Sequence, residues 1–169
     1  FKNIITGEIY PEEIKNTTGG AVWANDNKTV YYSRKDDETL RSNQIFKHTL
    51  GTDPSTDELV YQEDDETFYT YVFKTKSKKY IMIGSDSTMT SEFRFAPALN
   101  GTEKFKIFQK RARGLEYAVA HYEDSFYVQT NKDGATNFKL MKTPETATGV
   151  DNWKDIIPHM VASSPTSHS

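Results

Sequence analysis

The sequence predicts an all-β fold, on three observations. Short apolar runs place residues two apart on one face of an extended chain, the runs are rich in Tyr, Phe, Val and Ile, and Asn, Asp, Lys and Gly cluster between them. Successive strand side chains point to opposite faces, so runs of this kind can each bury one face. The chain has 169 residues, enough for one ordinary domain. Hydrophobic residues make up only 36%, but aromatics reach 13% with ten Tyr and ten Phe, which places it among folded chains with a narrow core and a polar surface.

Taken in order, "FKNIITGEIYPEEI" (1–14) reads as the outer strands of a unit cut through its middle. "AVWANDNKTVYY" (21–32) is a strand, an Asn-Asp-Asn-Lys turn and a second strand, giving a first unit with strands near 20–24, 29–34, 43–50 and 57–62. In "FYTYVFKTKSKKYIMIGSD" (68–86), Tyr69, Tyr71 and Phe73 share one face, and Ile81 and Ile83 share another. Of the lysines between them, Lys74, Lys76, Lys78 and Lys79, the Lys-Ser-Lys at 76–78 forms the exposed turn of a hairpin, and the second unit has strands near 69–75, 79–84, 91–96 and 104–109. "YAVAHYEDSFYV" (117–128) repeats the pattern, for a third unit near 115–121, 125–130, 136–142 and 153–157. Asp133-Gly134 reads as a tight turn, because that pair supplies positive φ. "NWKDII" (152–157) is the one stretch with helical character.

Equivalent positions define the repeat. Val22, Val72 and Val119 in the first strands are 50 and 47 residues apart. Ile45, Phe93 and Phe138 in the third are 48 and 45 apart, and Val60, Ile107 and Ile156 in the fourth are 47 and 49 apart. Four strands in about fifty residues is the signature of a β-propeller blade. The reading is a partial β-propeller at 1–159, with blades near 17–62, 68–109 and 115–157, followed by a Ser-rich, disordered tail at 160–169. On periodicity alone, a β-sandwich with coincidental spacing is the alternative.

Several function classes are disfavoured. A net charge of −3 is a poor match to a nucleic-acid binder, and no run approaches the roughly 18 apolar residues of a membrane span. Absent cysteine removes disulfides and thiolate metal sites. Gly84-Ser85-Asp86-Ser87 lacks the Gly-x-Ser-x-Gly spacing of a hydrolase elbow, and His48, His121, His159 and His168 are scattered, so no catalytic residue is assigned. The acidic stretches 53–58 and 63–66 lack the ligand order of a calcium loop, and no metal or cofactor is expected. The Asn-x-Thr strings at 16–18, 27–29 and 100–102 are common in turns between strands and carry no assignment.

"TTGGAVWANDNKTVYYSRKD", "HTLGTDP", "KTKSKKYIMIGSDSTMTSEFRF" and "TNKDGATNFKLM" occur in an order that resembles the N-terminal propeller of the prolyl oligopeptidase family, its oligopeptidase B branch in particular. The resemblance covers about 7–159 and departs from the family after Pro158-His159. It implies a cytoplasmic serine peptidase whose seven-bladed propeller covers an α/β-hydrolase domain, admits short peptides and excludes folded proteins. That branch cleaves after Arg or Lys. Since the chain does not begin with Met, it reads as part of a longer parent, with that hydrolase domain as its partner and short basic peptides as the parent's substrates.

In this family the crossover loops between blades, and the loops from second to third strands, face the catalytic domain. Here they are 15–20, 35–42, 62–68, 84–91, 110–114 and 130–136, with Arg41, Asp64, Asp65, Glu66 and Phe68 as candidate substrate-facing residues. Acid there would attract cationic peptides. The alternative is a free-standing propeller-like module that binds a peptide or protein. Three blades do not close a ring. Trp23, Tyr31, Ile45, Tyr117, Tyr127 and Phe138 are therefore expected on open blade faces, and the chain is expected to self-associate.

Overall fold

A computed structural model describes residues 1–157, in which twelve strands form three four-stranded antiparallel sheets. Blade 1 contains β1 (Thr17–Trp23), β2 (Thr29–Lys35), β3 (Ser42–Thr49) and β4 (Glu58–Gln62). Blade 2 contains β5 (Tyr69–Lys74), β6 (Tyr80–Asp86), β7 (Ser91–Pro97) and β8 (Lys106–Gln109). Blade 3 contains β9 (Tyr117–Tyr122), β10 (Ser125–Thr130), β11 (Lys139–Pro144) and β12 (Lys154–Ile157). Each sheet is ordered as its strands occur in sequence, so every blade is an up-and-down meander with its first strand at one edge. Among the described residues there is no α-helix, only three short 3₁₀ turns. The helix-like stretch 152–157 instead ends one of those turns and continues as β12.

The blades are joined by two cores. Ala24, Tyr31 and Ile45 of blade 1 pack on Val72, Ile81, Ile83 and Ala98 of blade 2. Tyr80, Met82, Phe93, Phe95 and Phe108 of blade 2 pack on Tyr117, Phe126, Val128, Met141 and Trp153 of blade 3. This explains the run "YIMIG" in β6. The middle blade is covered on both faces, so Ile81 and Ile83 serve one core while Tyr80 and Met82 serve the other. It also corrects the expected open faces. Tyr31, Ile45 and Tyr117 lie inside the cores between blades, while Trp23 is among the large apolar residues left exposed.

Register supports the repeat more sharply than composition does. The pairing of third with fourth strand shifts at Ile45/Phe46, at Phe93/Arg94 and at Leu140/Met141. Those positions are 48 and 47 residues apart, so Leu140 rather than Phe138 is the third equivalent residue. Phe138 precedes β11 and carries a φ of 57°.

The strands expected in residues 1–14 shrink to a single antiparallel bridge, Lys2 with Ile9. A hairpin without a third strand has little to hold it, and here Phe1 anchors the segment by stacking on His48 and meeting the edge of Trp23. The Ser-rich tail expected at 160–169 lies outside the described residues.

Candidate functional site

The two ends of the blades differ in character. At one end the lysine cluster forms the β5–β6 turn, in which Lys78 has a φ of 60° and Lys76 to Lys79 are exposed. Asn25 Nδ2 donates to the Lys78 carbonyl at 2.9 Å, and Lys79 pairs with Glu145 at 2.5 Å. The cluster is a turn that ties the hairpin to both neighbouring blades.

His121 completes that tie. Its Nδ1 lies 2.8 Å from Ser77 Oγ, and its Nε2 lies 2.6 Å from Glu145 Oε1. Burial pushes the Glu145 carboxyl up, but hydrogen bonds from Lys79 and His121 outweigh it and hold the group below its ordinary value. Ser77 shares its hydroxyl with Thr75 Oγ1 at 2.9 Å on an ordinary turn. Ser85 is fully buried and lies 3.3 Å from the Tyr61 hydroxyl.

At the opposite end the crossover loops and the loops from second to third strands meet. Arg41, just before β3, donates from Nη1 to the carbonyls of Asp65 (3.1 Å) and Phe68 (2.7 Å) and from Nη2 to that of Glu63 (3.2 Å). Its guanidinium therefore shapes the 63–68 crossover. Phe68 is buried beneath Arg111, whose Cζ stands 3.9 Å from the ring centroid. The other three candidates are exposed. Asp64 Oδ1 accepts from Gln62, and Asp65 Oδ1 accepts from the Thr67 hydroxyl and N–H, which hold the Asp65 carboxyl below its ordinary value.

Sequence reasoning missed the charged strut beside them. Glu63, at the end of blade 1, and Glu92, in β7, are both buried. Arg111, in the crossover to blade 3, reaches Glu63 Oε2 at 2.6 Å and Glu92 Oε1 at 3.1 Å, and its backbone N–H donates to Glu92 Oε2 at 2.9 Å. Burial alone would raise both carboxyls, but the bonds from Arg111, with others from Tyr61 and Asp65 at Glu63, bring them below their ordinary values. Arg111 lies 48 residues from Glu63 and 19 from Glu92, a spacing that no local motif marks.

Between blades 2 and 3, the same end opens into a cleft of about 380 Å³. Tyr69 and Tyr71 of β5 stack with centroids 5.9 Å apart along one wall, while Tyr117 of β9 and Phe138 line the other side. Tyr71 donates to Asp86 Oδ2 at 2.6 Å, and Asp86 Oδ1 is buried with no hydrogen-bond partner. Burial, reinforced by that bond to a carboxylate, pushes the Tyr71 hydroxyl up. Glu116 adds a second carboxylate, and among the described residues no Lys or Arg lines the cleft.

The family model for the prolyl oligopeptidase N-terminal β-propeller domain matches residues 1–164. Among curated proteins, dipeptidyl aminopeptidase BI of Pseudoxanthomonas mexicana is 40% identical over 94% of this chain, and protease 2 of Moraxella lacunata is 32% identical over 85%. The chain spans 22% and 21% of their respective lengths. Among solved structures, oligopeptidase B of Leishmania major superposes with a TM-score of 0.87 at 27% identity, over 94% of this chain and 22% of that one. Oligopeptidase B of Trypanosoma brucei, with covalently bound antipain, gives 0.84 at 29% identity over 90% and 22%. With three meander blades joined face to face and this match along nearly its whole length, the chain belongs to the prolyl oligopeptidase family, as part of its non-catalytic N-terminal β-propeller.

Proposed function

We propose that this segment gates the access of short peptides to the α/β-hydrolase domain of an oligopeptidase B-like serine endopeptidase encoded in the same parent chain. The observation that carries the reading is the distribution of charge in the 62–68 crossover. Arg41 and Arg111 are engaged by backbone carbonyls and by Glu63 and Glu92, whereas Asp64, Asp65 and Glu66 stand exposed. Exposed acid at a pore mouth raises the local concentration of cationic peptides and acts mainly on the association rate.

The test neutralises these acids together in the full-length gene product, as Asp64→Asn, Asp65→Asn and Glu66→Gln. For an Arg-containing fluorogenic peptide, kcat/KM is expected to fall several-fold at low ionic strength and to match the parent's in high salt. An unchanged kcat/KM at low ionic strength overturns the steering role. A free-standing binding module uses the same loops, but differs in requiring that the gene product hydrolyse no peptide.

A further inference from the structure

The cleft between blades 2 and 3 is built unlike the rest of the loop end. Asp86 is half-buried at the end of β6, with one carboxylate oxygen fixed by Tyr71 and the other buried and unpartnered. A buried carboxylate oxygen without a donor is costly, and native structures normally satisfy it with a hydrogen bond or a cation. None of the described Lys, Arg or His side chains forms a salt bridge with Asp86 or Glu116. A cation entering the cleft would meet both carboxylates without competing with a protein cation.

The walls fit a cation as well as the floor does. Tyr69 is 52% exposed, although a large aromatic is usually better covered, and it stacks on Tyr71 so that the two rings form one π surface. Phe138 reaches the cleft with its backbone at a φ of 57°, an uncommon conformation for a bulky residue. Aromatic faces attract organic cations, and a neighbouring carboxylate adds charge and a hydrogen-bond acceptor. At about 380 Å³ the cleft is near the lower size of small-ligand pockets, suited to one side chain or chain terminus rather than to a folded partner.

We propose that this cleft binds the cationic group of a peptide, a guanidinium or a primary ammonium, between the carboxylates of Asp86 and Glu116 and against the rings of Tyr69 and Phe138. The inference deepens the gating reading by giving a basic peptide a defined stopping place, and it rests on that reading only for the ligand being a peptide.

The test is an NMR titration of the 169-residue chain with three short peptides. The first is N-acetylated with one internal Arg, the second has citrulline in place of Arg, and the third has a free amino terminus and no basic side chain. Saturable shifts at Tyr69, Asp86, Glu116 and Phe138 with the first peptide and not the second identify a side-chain guanidinium site. The same shifts with the third peptide alone identify an amino-terminus site. Either result supports the proposal, and Asp86→Asn with Glu116→Gln should then weaken binding at least tenfold. Equal shifts with the citrulline peptide, or no shifts at these four residues in a well-dispersed spectrum, overturn it. In that event the gating reading stands or falls separately, on the Asp64, Asp65 and Glu66 experiment.

Discussion

Gly84 lies directly beneath the ring of Tyr71, its partner across the β5–β6 pair: a Cβ added at Gly84 would stand 2.4 Å from Tyr71 Cζ. The ring cannot simply swing aside, because its hydroxyl is held by Asp86 and it meets Phe93 edge-on at 6.4 Å. Gly84→Ala is therefore expected to displace Tyr71, break its bond to Asp86 and destabilise the chain by about 1–3 kcal/mol, as overpacking does. Urea denaturation checks the loss, and a wild-type midpoint would show that the ring relaxes without cost.

Arg111 holds two carboxylates that blades 1 and 2 bury against each other. Arg111→Met removes the guanidinium from over Phe68 and leaves Glu63 without its counter-charge, with Arg94 at 2.8 Å still beside Glu92. The expected loss is about 3 kcal/mol, near the low end for breaking a buried pair because the Arg111 side chain is itself 28% exposed. Adding Glu63→Gln to Arg111→Met should restore part of that loss, because among the described residues Glu63 pairs with Arg111 alone whereas Glu92 keeps Arg94. Equilibrium denaturation of the three forms measures both effects.

The same strut sets an acid limit. Glu63 and Glu92 titrate below 4.5 when folded and return towards 4.5 when the chain unfolds, so the unfolded chain takes up protons first as pH falls. Their contribution is fully present above about pH 4.5 and is lost as pH drops through the folded values. Urea midpoints measured from pH 7 down to pH 3 should show this decline. In the Arg111→Met variant it should be shallower, since the depression of both carboxyls comes largely from Arg111.

Ser77, His121 and Glu145 are linked in the order of a hydrolytic triad, yet their role is to join blade 2 to blade 3. The serine meets Nδ1 rather than Nε2, shares its hydroxyl with Thr75, and the carboxylate is shared with Lys79. The isolated chain is expected to hydrolyse no Arg-Arg fluorogenic peptide and to take up no serine-reactive phosphonate at Ser77 or Ser85. Mass spectrometry of the treated chain, against a heat-inactivated control, decides this.

Blade 1 exposes Trp23, and beside it lie Ile4 and Ile5, 94% and 92% exposed; at the far side β12 exposes Ile156 and Ile157. Burying such surface is favourable, and the isolated chain is expected to self-associate. Light scattering should read a mass above the monomer's 19.3 kDa, rising with concentration. A constant monomer mass at high concentration would refute it.

The fold was legible because its signals are local. Short aromatic and β-branched runs such as "YVF" and "YIMI", turn residues such as Asp133-Gly134, and the return of the pattern near every fifty residues each depend on neighbours in the chain. The sequence determined by itself that twelve strands would gather in fours, and that the lysine cluster would be a turn. Only the tertiary structure decided which apolar faces meet, because each strand offers two and both look alike in sequence; hence Tyr31, Ile45 and Tyr117 proved to be core. Only the tertiary structure brought Glu63, Glu92 and Arg111 into one strut and Asp86 and Glu116 into one cleft. Those residues come from different blades and crossovers, and they become neighbours only when two sheets pack face to face.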